Sequence, residues 1–179
     1  MCIRDRCDPF SQMQRINKNR TDLKETMEEK LRRGRHHLRV ACRAYKRQMD
    51  RGRYFLHEHP YGAESWSEPE IQKLLKTPGV LFVKGPMCNW RMTAVGKDGK
   101  EGLVRKETGW LTNSPVLASI LEGVCSNVTG KAVWHRHVVL EGGLAKKAAA
   151  YPPALVKAVL QGLRKQMVQD RVLSEVKTF

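Results

Sequence analysis

The sequence predicts an α/β fold, on three observations. Residues 21–51 carry apolar side chains at helical spacing: Leu23, Met27, Leu31, Leu38, Cys42, Tyr45 and Met49 recur at intervals of three, four or seven. Two apolar runs, 53–57 and 80–84, flank a second helix signal, and strand, helix, strand in that order suggests a parallel βαβ unit. A hairpin pattern and a closing amphipathic stretch then add a smaller mixed region.

Each element has a local reason. Thr21 or Asp22 can cap the long helix, Glu25 suits its first turn, and Gly52 stands where a C-terminal cap belongs. Gly34 weakens its middle. Arg53-Tyr54-Phe55-Leu56-His57 reads as a buried strand. Ser67-Glu68-Pro69-Glu70 has the form of a capping box with proline in the first turn, opening a helix through Leu75 that Thr77-Pro78-Gly79 stops. Val80 to Lys84 is a second strand. Met92–Val95 and Leu103–Arg105 flank a turn at Lys97-Asp98-Gly99. Gly109 to Thr112 reads as a strand, and Ser114-Pro115 opens a helix to about Leu121. Cys125 to Lys131 reads as a polar loop, and His137 to Leu140 as a strand closed by Glu141-Gly142-Gly143. Tyr151-Pro152-Pro153 leads into a last helix with Leu155, Val159, Leu163 and Met167 on one face, and the tail after Gln169 is expected to fray.

Charge narrows the partners. The 179 residues hold 33 Lys and Arg against 18 Asp and Glu, a formal charge of +15. Between Lys30 and Arg53 stand ten basic residues and one acid, Asp50. Such a field favours phosphate polyanions, and Arg35, Arg39, Arg43 and Arg47 are the expected phosphate contacts, with DNA as partner. The competing reading is a solvated helix face. No apolar run is long enough to span a membrane, and Met1–Arg6 lacks the apolar core of a secretory signal. Five irregularly spaced cysteines do not make a disulfide framework, so a reducing intracellular compartment, cytoplasm or nucleus, is expected.

The residues that point to chemistry are Cys7, in Cys7-Asp8-Pro9-Phe10-Ser11, and Glu58, at the end of Phe55-Leu56-His57-Glu58-His59-Pro60. A thiol nucleophile and a proton-carrying carboxylate suffice for covalent chemistry on an electron-poor ring. Glu58 and the segment Met87-Cys88-Asn89-Trp90-Arg91 lie just past predicted strands, where open α/β sheets gather ligands.

The Cys-x-Pro-Phe-Ser order resembles the catalytic loop of DNA cytosine-5 methyltransferases, and the Glu58 segment resembles the Glu-Asn-Val strand end of that family. Arg105-Lys106-Glu107-Thr108-Gly109-Trp110-Leu111-Thr112-Asn113 is similar to an R-K-P-T-x-x-x-T-N stretch of phage-type members, with Glu107 in place of the proline. Tyr151-Pro152-Pro153-Ala154-Leu155 is similar to the family's closing motif, whose helix packs beside the cofactor. The resemblance implies Cys7 as nucleophile at cytosine carbon 6 and Glu58 as the proton donor to the ring. It implies Pro9, Phe10, Ser11, Asn89, Arg91, Thr112 and Asn113 as substrate contacts, and Tyr151 and Pro152 as one wall of an S-adenosylmethionine pocket. His57-Glu58-His59 departs from Glu-Asn-Val, and the family's Gln-x-Arg-x-Arg segment has no clean counterpart around Asn89 and Arg91.

The resemblance implies a partial Rossmann-like sheet lacking its first strands. Residues 1–6 are read as an artefact, 7–85 as the catalytic-domain remnant, 86–150 as a small mixed target-recognition region, and 151–179 as the closing helix and tail. No Gly-rich cofactor loop precedes Cys7, so the chain reads as the C-terminal fragment of a longer methyltransferase and as inactive alone. The run from His57 to Pro152 also resembles a methyltransferase-like segment in polyproteins of algal and dinoflagellate mobile elements. That likeness gives the alternative: a non-catalytic nucleic-acid-binding module beside integrase and reverse transcriptase modules.

Cys88, Cys125, His135 and His137 form a separate constellation of metal-ligating types. The chain has neither the Cys-x-x-Cys nor the His-x-x-x-His of a standard finger, so the expectation is no metal: two buried cysteines and a polar strand edge. A zinc clip at these four residues belongs to the alternative module.

Overall fold

The computed structural model describes residues 2–3, 10, 24–129, 134–140 and 150–174. The elements in order are β1 (Cys2–Ile3), α1 (Lys24–Met49), β2 (Leu56–Pro60), a 3-10 turn (Glu64–Ser67), α2 (Pro69–Leu75) and β3 (Leu81–Pro86). A second 3-10 turn (Met87–Trp90), β4 (Thr93–Val95), β5 (Glu101–Val104) and β6 (Glu107–Thr112) follow, then α3 (Pro115–Leu121), α4 (Ser126–Thr129), β7 (His137–Val138) and α5 (Pro153–Gln169). The fold is mixed α/β, as expected, in two compact units: 1–83 with 109–114, and 84–108 with 115–179.

The first unit is organised by α1. Its apolar face puts Leu38, Ala41, Cys42 and Tyr45 into a core with Phe10, Phe55, Ala63, Trp66, Ile71, Leu74 and Leu111. Tyr45 stacks on Phe55 with ring centroids 4.6 Å apart. The helix ends as expected: Gly52, at φ +64°, donates to the Met49 carbonyl. A four-stranded sheet runs in the order β1-β2-β6-β3, and β1 pairs in parallel with β2 (Cys2 opposite Leu56, Ile3 opposite His57). The strand–helix–strand segment is present, but β6 lies between β2 and β3, so those two strands are not neighbours.

Three local expectations give way. The strand predicted at 53–57 is shifted to Leu56–Pro60. The Arg53 carbonyl and the Phe55 amide are taken instead by the Asn113 side-chain amide, and Thr112 Oγ1 donates to the Phe55 carbonyl at 2.6 Å. The capping box does not form: Glu68 is the N-cap of α2, with no side-chain cap bond. Its carboxylate accepts from Arg35 Nε at 2.9 Å. Pro69 does open the helix. In the second unit, the polar stretch after Cys125 contains the short helix α4 rather than a plain loop.

The second unit holds a three-stranded sheet, β4-β5-β7. β4 and β5 form the expected antiparallel hairpin with Thr93 opposite Leu103, and β5 pairs in parallel with β7, Leu103 opposite His137. The turn uses Gly99 at φ +74°, its amide bonded to the Gly96 carbonyl. Helices α3 and α5 pack closely at Gly162, where an added Cβ would lie 2.7 Å from Ile120 Cδ1 and 3.0 Å from Leu117 Cδ2. Gln166 Oε1 accepts from the Val116 amide, satisfying one of the orphan donors at the start of α3. Among the described residues no helix is long and apolar enough to cross a membrane.

Candidate functional sites: a basic helix face and a four-donor cluster

Helix α1 divides its charge unevenly. Glu29 accepts from Arg32 and Arg33 at 2.8 Å each, which holds its carboxyl down at about 2. Arg35 is engaged by Glu68. Beyond that point Arg39, Arg43, Lys46 and Arg47 are all exposed, and none of them makes an ion pair with a carboxylate among the described residues. Spacings of four and three or four put them along one side of the helix. The arginine stripe read from the sequence is therefore present, with Arg35 partly neutralised and the other three open to solvent.

Strand β2 carries Glu58 between two buried histidines. Alternation sends His57 and His59 to one face and Glu58 to the other. Glu58 is only 2% exposed. The His57 and His59 rings lie 4.6 Å apart, and each packs edge-on against Trp66, at 5.4 and 6.0 Å. His57 Nδ1 meets the Tyr45 hydroxyl at 3.0 Å, and His59 Nδ1 meets Ser65 Oγ at 2.5 Å. Burial, with the neighbouring His59 adding, pushes the His57 imidazole down to about 3. Phe10 is fully buried, its ring 6.2 Å from that of His59. Cys7, Pro9 and Ser11 lie outside the described residues.

Three of the remaining expected substrate contacts, Thr112, Asn113 and Asn89, are hydrogen-bonded within the chain. Thr112 and Asn113 bind the backbone leading into β2, as above, and the Ser114 amide donates to Thr112 Oγ1. Asn89 Nδ2 donates to the Val124 carbonyl at 3.3 Å. Arg91 is exposed and takes the left-handed conformation, φ 57°, that ends the 3-10 turn. Tyr151 is half-buried, and Pro152 is the buried N-cap of α5.

The second unit assembles the four candidate ligands, which does not bear out the expectation of no metal. One ligand atom each from Cys88, Cys125, His135 and His137 falls within 4.8 Å of all the others. Cys125 Sγ lies 3.6 Å from His135 Nε2 and 3.5 Å from His137 Nε2, and the two nitrogens face each other at 2.8 Å. Both cysteines are buried and both histidines half-buried. Burial raises the Cys88 thiol pKa, and the Cys125 sulfur beside it raises it further. Burial, then the charge of His135, lowers that of His137.

The sequence separates these ligands, and the backbone gathers them. Cys88 is buried in the turn after β3, which the Met87 amide fixes to the Lys106 carbonyl. Asn89 ties that turn to the chain just before Cys125. Pairing of β7 with β5 places His137, and the Leu103 amide bonds to the Arg136 carbonyl between the two histidines. Asn127 clamps His135: its Nδ2 donates to the His135 carbonyl at 2.7 Å and its Oδ1 accepts from the His135 amide at 3.0 Å. Ser126 Oγ lies 3.5 Å from His135 Nδ1.

These features define a mixed α/β protein with a basic helix in one unit and a Cys2His2 cluster in the other. No family model matches the chain, and no curated protein or solved structure matches it either.

Proposed function

We propose that the chain is a DNA-binding part of a cytosine-5 methyltransferase-like protein that grips the phosphate backbone through α1. The observation that carries the proposal is the exposed run Arg39, Arg43, Lys46 and Arg47, without carboxylate partners among the described residues, next to arginines that Glu29 and Glu68 already neutralise. A stripe without carboxylate partners among the described residues, beside arginines that have them, suits an external anion. Contacts of this kind position a duplex and carry no sequence information. Affinity should therefore fall steeply with salt. Changing Arg39, Arg43 and Arg47 together to Ala should flatten the slope of log K against log salt by about 0.9 for each phosphate no longer neutralised. The same affinity and slope in the triple variant would remove the proposal.

The finer reading, base chemistry by Cys7 and Glu58, rests on the resemblance of those two segments. Phe10 packs into the core against His59, on the face of β2 opposite to Glu58. A thiolate adding to carbon 6 of a pyrimidine needs a proton donor at the ring nitrogen, the role the resemblance gives Glu58. The test uses the chain and a duplex in which 2-pyrimidinone, an electrophilic base, replaces the target cytosine. Thiol addition without methyl transfer should give a protein–DNA adduct by mass spectrometry, absent in Cys7→Ser. An adduct that survives in Cys7→Ser excludes Cys7 as the nucleophile.

A further inference from the structure

We propose that Cys88, Cys125, His135 and His137 bind one Zn(II) ion in a closed, four-ligand structural site. Such a site stands independently of DNA binding and of methyl transfer.

Donor type comes first. Two thiols and two imidazoles are the ligand set of tetrahedral structural zinc, whereas oxygen-seeking cations such as magnesium and calcium have no carboxylate in this set to bind. Distance comes next. Zn–S bonds of about 2.3 Å and Zn–N bonds of about 2.0–2.1 Å set tetrahedral sulfur and nitrogen donors about 3.5–3.6 Å apart. Cys125 Sγ lies 3.6 and 3.5 Å from the two histidine nitrogens. The nitrogens, 2.8 Å apart, have only to separate to about 3.3 Å, the tetrahedral spacing for such bonds.

Both histidines present the same atom, Nε2, to the cluster. The surrounding hydrogen bonds suit this: the far nitrogen of His135 faces Ser126 Oγ, and Asn127 fixes the His135 backbone from both sides. Metal-bound imidazoles characteristically have a partner on the nitrogen away from the ion, which sets the ring orientation. Ordinary packing gives no comparable reason for two imidazole nitrogens and two thiol sulfurs to converge in a half-buried spot.

Binding balances without any redox partner. Cys88 and Cys125 each release the S–H proton to solvent, two S–Zn and two N–Zn bonds form, and the ion sheds its waters. Two thiolates cancel the two positive charges. The cation reverses the effect of burial on Cys88, because a coordinated thiol is deprotonated outright. With four protein ligands no position remains for a substrate, so the ion is a staple. It joins the turn at Cys88 to the 125–137 segment, holding the β4-β5-β7 sheet to the turn that precedes it.

The test uses the full chain, prepared metal-free under reducing conditions and titrated with Co(II) and Zn(II). The expected result is one ion per chain. Cobalt should give the intense visible bands of a tetrahedral centre with thiolate-to-cobalt charge transfer, and zinc should displace it. Cys125→Ser should lower affinity more than about 100-fold, beyond the 10–100-fold typical of removing a residue that only orients a ligand, and Asn127→Ala should fall within that smaller range. Cys42→Ser should change nothing. Cys88→His guards against simple misfolding: it should still bind cobalt tetrahedrally, with one thiolate's share of the charge-transfer absorption gone. An octahedral cobalt spectrum, no thiolate charge transfer, or unchanged binding after removal of both Cys88 and Cys125 would each overturn the site.

Discussion

The Tyr45 hydroxyl lies 3.0 Å from Nδ1 of His57, so helix α1 and strand β2 share a buried hydrogen bond between side chains. This bond links the element that carries the basic face to the element that carries Glu58. Tyr45 and His57 are both fully buried, and His57 Nε2 finds no hydrogen-bond partner among the described residues. The Tyr45 hydroxyl is thus the one polar partner of the ring that the structure describes. Tyr45→Phe keeps the stacking on Phe55 and removes only the oxygen. Urea unfolding should show a loss of about 1–3 kcal/mol, the cost of stranding a buried polar group. An unchanged midpoint would mean that His57 is satisfied some other way.

The same pocket makes stability depend on pH. The His57 imidazole sits at about 3 in the folded chain, because burial and then His59 disfavour its charge, against 6.5 as the ordinary value. Between those values the unfolded chain holds a proton that the folded chain does not. Stability from this group is complete above the unfolded value and declines as pH falls towards the folded one, by at most about 1.4 kcal/mol per pH unit. Denaturation midpoints at pH 7 and pH 5 should separate in the native sequence and draw closer in His57→Gln. Equal separations in the two proteins would exclude His57 as the source.

How much of this is legible in the sequence depends on range. The long helix can be read because its apolar period needs only neighbours on the same turn, and the β4–β5 hairpin because Gly99 supplies the left-handed turn residue. The capping box fails because the helix takes Glu68 rather than Ser67 as its N-cap, which moves Glu70 out of the reciprocal position; Glu68 pairs instead with Arg35, 33 residues away, which no local pattern reveals. Finger spacing points away from the four-donor cluster. Its ligands are instead brought together by the parallel β5–β7 pair and the Asn89–Val124 bond, contacts between segments far apart in sequence. What singles the four residues out in the sequence is chemical: two cysteines and a His-x-His pair. Similarly, the insertion of β6 between β2 and β3 is a sheet-order property that a strand–helix–strand pattern does not encode.

Gly109 predicts a packing limit. A Cβ at this position in β6 would stand 2.7 Å from Trp66 Cζ2 and 2.9 Å from Phe82 Cε2. Phe82 also lies against Trp66, with centroids 4.6 Å apart, so neither ring moves alone. Gly109→Ala should destabilise by about 1–3 kcal/mol through overpacking, despite the better strand propensity of alanine. Thermal unfolding reads it out, and a variant as stable as the native chain would show that the rings have room to shift.

Asn113 separates a structural role from a substrate-binding one. The resemblance makes Thr112 and Asn113 substrate contacts, whereas here both amide atoms of Asn113 are spent on the chain leading into β2: Oδ1 on the Phe55 amide and Nδ2 on the Arg53 carbonyl, each at 2.9 Å. This clamp replaces the strand pairing that residues 53–55 would otherwise make. Asn113→Ala should therefore cost about 1–3 kcal/mol in urea unfolding, chiefly because it leaves the part-buried Phe55 amide unpaired, whereas the Arg53 carbonyl is exposed to water. Asn113→Asp keeps the acceptor for the Phe55 amide and loses the donor to Arg53, so it should fall between the two. DNA affinity, measured well below the unfolding temperature at fixed salt, should be the same in all three proteins. If Asn113→Ala instead weakens DNA binding while leaving the unfolding midpoint unchanged, the clamp is dispensable and the residue belongs to the DNA contact surface.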